Sequence, residues 1–463
     1  PTLLPIVTLL HELLELFENA PVDCEFAVTR CVDEGEGAGA EVLWLLQARP
    51  LILAKEPESE VNQAARLRNI QSKVERGMQP HPFLMGSTTV YGVMPDWNPA
   101  EIIGVRPKPL SLSLYRELVT DSIWAYQRHN YGYRNLRSFP LMPHFFGLPY
   151  IDVRLSFNSF IPADMDDGLA ARLVDHYIDR LLSEPMLHDK VEFEIVFSCY
   201  TFDLPNRLDQ LSAAGFSKDD CDQLTQSLRK LTNRILHPTN GLWRSDAAKL
   251  KTLGQRRRAL LDSNADPLAR IYWLLEDAKR YGTLPFAGLA RAGFVAVQLL
   301  KSLVETGIFS TSDYEAFIEG VSTVTGQLSR DRSVLDKATF LAQYGHLRPG
   351  TYDIESPRYD EAPEIYFDWG RQPLTPEPVK PFSLTLPQMR QISQFLQSHG
   401  LESDPVGLLD FMQAGIELRE MAKFQFTRNL SDVLSLITEV GEEHNIDREE
   451  LAYCDIGVFK ELH

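Results

Sequence analysis

The sequence predicts an α+β protein that is mainly helical, and three observations predict it. From Asp164 onward, segments near 166–183, 205–214, 218–236, 246–263, 267–281, 286–306 and 311–328 carry apolar residues at three- and four-residue spacing, broken by Pro or Gly. Residues 21–50 hold two short apolar runs around a turn containing Gly35, Gly37 and Gly39, a hairpin pattern. Residues 149–162 alternate. Ile151, Val153, Leu155 and Phe157 point one way, and Asp152, Arg154, Ser156 and Asn158 the other, as in a half-buried strand. The polar side of that strand suits solvent or the wall of a polar cleft.

Taken in order, the chain opens on an amphipathic helix over 3–18, with Leu9, Leu10, Leu13, Leu14 and Phe17 on one stripe. In the hairpin, side chains two apart share a face, so Asp23 goes with Glu25 and Gln47 with Arg49. Folding sets the pairs side by side. Carboxylate and amide oxygens suit Mg²⁺ and a guanidinium suits a phosphate oxygen; a charged, solvated hairpin edge is the alternative. A second helix is expected over about 61–76. Asn98, Pro99 and Glu101 fall at N-cap, N1 and N3 of a helix start, a variant of the capping box. Val191–Phe197 could add a strand, and Arg256-Arg257-Arg258 reads as solvated surface.

Further on, a helix ends near Tyr344-Gly345, and the loop after it collects His346, Arg348, Asp353 and Arg358. Arg348 and Asp353 could pin that loop as an ion pair or meet a ligand. Residues 361–385 are rich in Pro and acidic groups and read as irregular. A long helix is expected from about Val406 past Leu418 to Phe426, with Asp404 as cap and Pro405 at N1. Arg419 and Lys423, four apart, share a face of it. Their repulsion costs a few tenths of a kcal/mol unless an anion sits between them or Glu420 serves as counter-ion.

Composition sets bounds on these readings. A chain of 463 residues, 44% hydrophobic and 24% charged, is long enough for two or more domains. With 64 acidic against 46 basic residues the net charge is −18, which argues against a nucleic-acid or anionic-membrane partner. Five scattered cysteines without a Cys-x-x-Cys fit a reduced, cytoplasmic compartment. No run approaches eighteen uncharged apolar residues. Neither Gly-x-x-x-x-Gly-Lys-Ser/Thr nor Gly-x-Gly-x-x-Gly occurs.

Asp-x-Glu-Phe-Ala at 23–27, then the hairpin, then Leu-Gln-Ala-Arg-Pro at 46–50 closely resembles the end of the ATP-grasp domain in the pyruvate phosphate dikinase and phosphoenolpyruvate synthase superfamily. Asp-Trp-Asn-Pro-Ala-Glu at 96–101 is similar to the entry of that superfamily's substrate domain. The stretch Tyr344-Gly345-His346-Leu347-Arg348-Pro349-Gly350-Thr351-Tyr352-Asp353 resembles a substrate-domain block of its rifampicin-phosphotransferase-like branch. Thr351 stands where that block has Glu, so no base role transfers to it. Arg419-Glu420-x-x-Lys423 and the end from Asp447 to Gly457 also resemble family segments. The resemblance covers the whole chain, strongest at 21–50.

The resemblance implies the following. Residues 1–55 are the C-terminal part of an ATP-grasp nucleotide-binding domain, and 56–463 a mainly helical central, acceptor-binding domain. Glu25 and Gln47 hold Mg²⁺, and Arg49 holds a phosphate of ATP. Arg419 and Lys423 face the transferred phosphoryl group, with His346 and Arg348 beside the acceptor. The phosphoryl group passes from ATP through a phosphohistidine on a swivelling domain of the full-length protein to a small-molecule acceptor, giving AMP and phosphate. Pyruvate, a hydroxylated antibiotic-like molecule and a polyol are the candidate acceptors, and the helical central domain favours a hydroxyl. The first ATP-grasp lobe and the phosphohistidine motif are not in this sequence, so a fragment, inactive alone, is expected. The alternative is a non-catalytic binding module derived from such an enzyme.

Overall fold

The computed structural model describes residues 3–30, 41–50, 59–370 and 382–463, and helices dominate them. The chain divides into two compact units, Pro1–Lys73 and Val74–His463. The expected boundary at 55/56 and the glycine turn at 35–39 lie outside the described residues.

The first unit holds helix α1 (Leu4–Leu16), strands β1 (Val22–Arg30) and β2 (Glu41–Pro50), and most of α2 (Glu60–Gly77), which the division crosses. Helix α1 packs on β2 and buries Leu13. The strands pair antiparallel, with Asp23 opposite Arg49 and Glu25 opposite Gln47. Leu46 is an extra residue on β2, so the register shifts between Glu25 and Phe26. All four polar residues therefore share one face, as the spacing predicts. Beyond the bulge, Phe26, Val28, Trp44, Leu45 and Leu46 are exposed.

The second unit opens with short elements: β3 (Tyr91–Gly92), α3 (Pro99–Ile102), α4 (Pro109–Tyr115), α5 (Ile123–Tyr131), β4 (His144–Phe145), β5 (Leu148–Pro149), β6 (Ile151–Asp152) and α6 (Val153–Asn158). Strand β3 pairs with β6, and β4 with β5. The strand expected over 149–162 is thus two residues of strand followed by a helix. The alternation misleads because both of its faces are buried. Asp152 caps α6 by accepting from the Leu155 amide, and Arg154 donates to the carbonyls of Gly77 and Gln79. Ser156 donates to Asp96, and Asn158 bonds the backbone of Met85. Every polar side chain finds an internal partner, so none needs solvent.

Then come α7 (Asp167–Ser183), α8 (Leu204–Arg207), α9 (Asp209–Ala213), α10 (Lys218–Leu236), α11 (Leu242–Leu261), α12 (Pro267–Asp277) and α13 (Leu284–Glu305). The strand expected at Val191–Phe197 is instead a wide helical turn, Val191–Ile195. A second wide turn, Ala278–Thr283, joins α12 to α13. Among the described residues the run Pro267–Glu305 is the one helix long and apolar enough to cross a membrane, and 72% of its most apolar window is buried inside the protein. Arg256 and Arg257 are not simply solvated. Arg256 donates to the buried Asp277 of α12 at 2.7 Å, and Arg257 to Asp432 at 2.5 Å. Adjacent residues on one helix point to different neighbours, so the basic run serves two partners.

The chain continues through α14 (Thr311–Gly320), α15 (Val324–Val334), α16 (Lys337–Tyr344), α17 (Pro363–Tyr366), α18 (Leu386–His399), α19 (Pro405–Glu443), α20 (Arg448–Leu451) and α21 (Ile456–Glu461). Asp404 caps α19, accepting from the amides of Val406 and Gly407, with Pro405 at N1. The helix runs well past Phe426, because Leu430, Val433, Leu434 and Ile437 keep an apolar stripe going. Two apolar cores result. One packs α7, α10 and α13 with the first half of α19, through Leu408, Phe411 and Met412. The other packs α4, α12 and α21 with its second half.

Helices α13 and α19 cross almost backbone to backbone. A Cβ on Gly293 would lie 2.9 Å from the Gly415 carbonyl, and one on Gly415 3.1 Å from the Ala292 carbonyl. Gly293→Ala and Gly415→Val should each cost about 1–3 kcal/mol through forced separation of the helices, read as a lower urea midpoint.

Candidate functional site

One turn beyond Gly415, α19 presents Arg419 to α13. Its guanidinium lies 5.1 Å from the centre of the Phe294 ring, a cation–π distance. Lys423 follows one turn later. Both open onto a cleft of about 770 Å³ walled by α13, α19, the loop leading into α3 and the loop after α16. The structure brings Arg419, Lys423, His346 and Arg348 together in this one cleft. Glu25, Gln47 and Arg49 lie on the hairpin of the first unit.

Among the described residues, neither Arg419 nor Lys423 forms an ion pair or donates a hydrogen bond. Glu420, the counter-ion that the sequence offers, accepts instead from the Val324 amide at 2.9 Å and starts α15. Glu417 accepts from Ser322 in the same way. The Lys423 side chain is exposed on the cleft wall. Enclosure by the cleft walls, then the charge of Arg419, pushes its pKa down, and Glu101 and Glu420 only partly oppose this.

The other two residues do different work. Arg348 is buried and donates to the carbonyls of Asp353 (3.3 Å) and Ser356 (3.1 Å) and to Ser431 Oγ of α19 (3.3 Å). It pins its loop through carbonyl oxygens rather than through the Asp353 carboxylate, and burial lowers its pKa to about 10. His346 is buried too, its ring 4.8 Å from that of Phe424 and its Nε2 without a partner. Burial, then Arg428, brings its pKa down to about 3, so the imidazole is neutral at ordinary pH.

A second charged group, unforeseen in the sequence apart from the stretch around Asp96, forms the floor. Arg128 donates to Asp96 at 2.8 Å and lies 3.6 Å from Glu192. Arg291 of α13 donates to Glu192, and Ser156 to Asp96 at 3.0 Å. Both guanidiniums stack on Phe160, at 4.3 and 4.9 Å. Two cations meet two carboxylates, so the floor is neutral. Burial raises the Asp96 carboxyl despite Arg128 beside it. Burial also works against the charge of Arg291, but Glu192, Tyr133 and Asp96 hold its pKa above the ordinary arginine range. The signal that could have found this group is Arg291 itself, the one charged residue in the run 284–300 of α13.

The loop into α3 is strained where it meets the cleft. Asp96 and Asn98 have φ of 60° and 39°. Asn98 stands at the expected N-cap but bonds no helix amide; its Nδ2 donates to Glu101 Oε2 at 3.2 Å. The Asn-Pro-Ala-Glu motif therefore holds a carboxylate at the cleft rim instead of capping.

On the hairpin, Arg49 donates from Nε (2.9 Å) and Nη2 (2.8 Å) to Asp23 Oδ2. Both side chains are largely exposed, so the pair contributes at most about 1 kcal/mol. Glu25 and Gln47 are exposed neighbours. One carboxylate and one amide oxygen fit a Mg²⁺ that keeps water and nucleotide phosphates as its other ligands, not an all-protein cage. Among the described residues no group of three or more His, Cys, Asp or Glu side chains could hold a metal ion.

His346 gives a pH signature. Its folded pKa lies below the ordinary 6.5, so the unfolded chain binds more protons between pH 6.5 and 3, and stability falls as pH drops through that window. Between pH 7 and 4 His346 should account for about 2–3 kcal/mol of lost stability, and His346→Phe, packed on Phe424, should show a correspondingly flatter urea midpoint. No family model matches the chain, and no curated protein matches it.

Proposed function

We propose that this chain is the acceptor-side part of an ATP-dependent phosphotransferase of the phosphoenolpyruvate synthase-like kind. A phosphoryl group would pass from ATP, through a phosphohistidine on the swivelling domain of the full-length protein, to a hydroxyl of a small molecule, with AMP and phosphate released. The observation that carries this is the pair Arg419 and Lys423, one turn apart on a cleft wall and unpaired. An anion between them relieves their repulsion and restores the full charge of Lys423.

In this reading Arg419 offers a planar fork to two phosphoryl oxygens and Lys423 a compact charge to a third. Both stabilise negative charge spread over the group in flight. Arg348 acts at one remove, holding the loop after α16 against α19. Neutral His346 orients rather than shuttles protons. Trp97, Phe286, Phe294, Phe424 and Phe426 line the cleft and give the acceptor an apolar wall. That wall, with a floor already neutral, favours a hydroxylated molecule with an apolar body over pyruvate or a polyol. On the hairpin, Glu25 and Gln47 would hold Mg²⁺, which neutralises nucleotide phosphate charge, and Arg49 would exchange Asp23 for a phosphate oxygen.

One observation favours the second reading, a binding module without catalysis: Arg49 is already occupied by Asp23. Two measurements separate the readings. Inorganic phosphate titrated calorimetrically should bind the protein, and Arg419→Met or Lys423→Met should each weaken it about tenfold, the worth of one charge-assisted hydrogen bond. The full-length protein given ATP and Mg²⁺ should yield AMP and phosphohistidine, and Glu25→Gln or Arg49→Met should lower both. No turnover, with those replacements changing nothing, leaves the binding module.

A further inference from the structure

Lys423 combines three features that together make an amine reactive toward carbonyl groups. It has no carboxylate or carbonyl partner among the described residues, although it sits in a cleft wall. A second cation, Arg419, lies one helical turn away on the same face and is likewise unpaired. The cleft is aromatic, with Phe294 under Arg419 at 5.1 Å and Phe424 and Phe426, just after Lys423 in sequence, among its lining residues. A lysine next to another cationic group is an arrangement that frees an amine lone pair at neutral pH.

We infer that Lys423 is a reactive amine that condenses with aromatic aldehydes carrying an anionic group, the aldehyde at Nζ and the anion on Arg419. The lone pair of Nζ attacks the carbonyl carbon, forming the C–N bond. The carbonyl oxygen takes up two protons released by the nitrogen and leaves as water, and the C=N bond of the imine remains. No oxidant, metal or further reactant enters. The groups that set the charge state of Lys423 are Arg419 and Glu420 on α19 and Glu101 across the cleft on α3. The first favours the neutral amine, and the two carboxylates oppose it. The pKa of Lys423 is displaced downward, in line with the geometry.

The inference shares the anion subsite with the phosphotransferase reading but not its reaction. An inorganic anion seated between Arg419 and Lys423 keeps the amine protonated and blocks it, whereas an aldehyde whose anion rests on Arg419 alone leaves Nζ free to react. Reactivity then reports occupancy.

The test uses the whole 463-residue chain with pyridoxal 5′-phosphate at neutral pH, borohydride reduction, and peptide mapping by mass spectrometry. Lys423 should label at least tenfold faster than the exposed Lys218 and Lys251. Pyridoxal, which lacks the phosphate, should lose that preference, and inorganic phosphate should protect Lys423 but not the surface sites. Lys423→Arg should remove the fast adduct, and Arg419→Met should slow it about tenfold. Labelling of Lys423 no faster than of Lys218 and Lys251 in the unaltered protein overturns the inference, with no variant required. If phosphate still binds calorimetrically in that case, the anion subsite stands and only the reactive amine falls. Fast labelling that phosphate leaves unprotected also overturns it, because the anion would then not sit at Arg419.

Discussion

The close crossing of α13 and α19 at Gly293 and Gly415 is the constraint on which the cleft depends. Helices with ordinary side chains at the contact stay 8–10 Å apart. Here neither glycine has a Cβ to hold the backbones off, and each would collide with the carbonyl of the other helix. The approach has a directional consequence. A residue one turn past Gly415 lands on the surface of α13, so Arg419 meets Phe294 there. Arg291, three residues before Phe294, lies 5.5 Å from the same ring. One aromatic side chain thus spaces a guanidinium of the floor from a guanidinium of the mouth. Because α19 contributes to both apolar cores, its position is fixed at both ends, and with it the height of Arg419 and Lys423 on the wall.

The two charged groups in the cleft obey different rules because they are hydrated differently. Arg128, Asp96, Glu192 and Arg291 are almost fully shielded, and a shielded charge left alone would cost several kcal/mol. They occur as two cations with two anions, packed on Phe160, and the account closes at neutrality. Arg419 and Lys423 remain open to water in the cleft, so they can stay unpaired at modest cost. That asymmetry gives the cleft its chemical direction. An incoming anion gains nothing at the floor and relieves a repulsion at the wall, while an apolar body finds aromatic contacts between the two.

How far the sequence discloses this follows from what each signal measures. Helix α10 falls on the expected residues because its stripe is regular and Ser217 and Asp220 form a complete capping box. The hairpin pairing of Asp23 with Arg49 and Glu25 with Gln47 was legible because strand geometry fixes it. The stretch 149–162 misleads because alternation reports which side chains differ in polarity, not which meet water, and its polar members are satisfied inside. The length of α19 past Phe426 is written in the apolar stripe that Leu430, Val433, Leu434 and Ile437 continue. Arg419, Lys423, His346 and Arg348 were each visible as charged or titratable residues in loops and on one helix face. Their convergence was not, since it depends on a helix crossing set by two glycines more than a hundred residues apart. The floor was hidden for the same reason: Arg128, Glu192 and Arg291 come from three elements, and no local pattern links them.

The strained loop at the rim shows which features serve the fold and which the site. An Asn-Pro pair before a helix would be most stable with extended backbone at Asn98 and its side chain on a helix amide, a cap worth about 1 kcal/mol. The protein forgoes that cap. Asp96 and Asn98 both take positive φ, and the Asn98 amide turns to the Glu101 carboxylate. In exchange, Asp96 reaches down to Arg128 and Ser156 while Glu101 stays at the rim, where it is one of the two carboxylates that moderate Lys423. A helix of four residues needs no such arrangement for its own sake. Strain of this kind persists only where the surroundings over-determine it, and what over-determines it here is the set of charges that line the cleft.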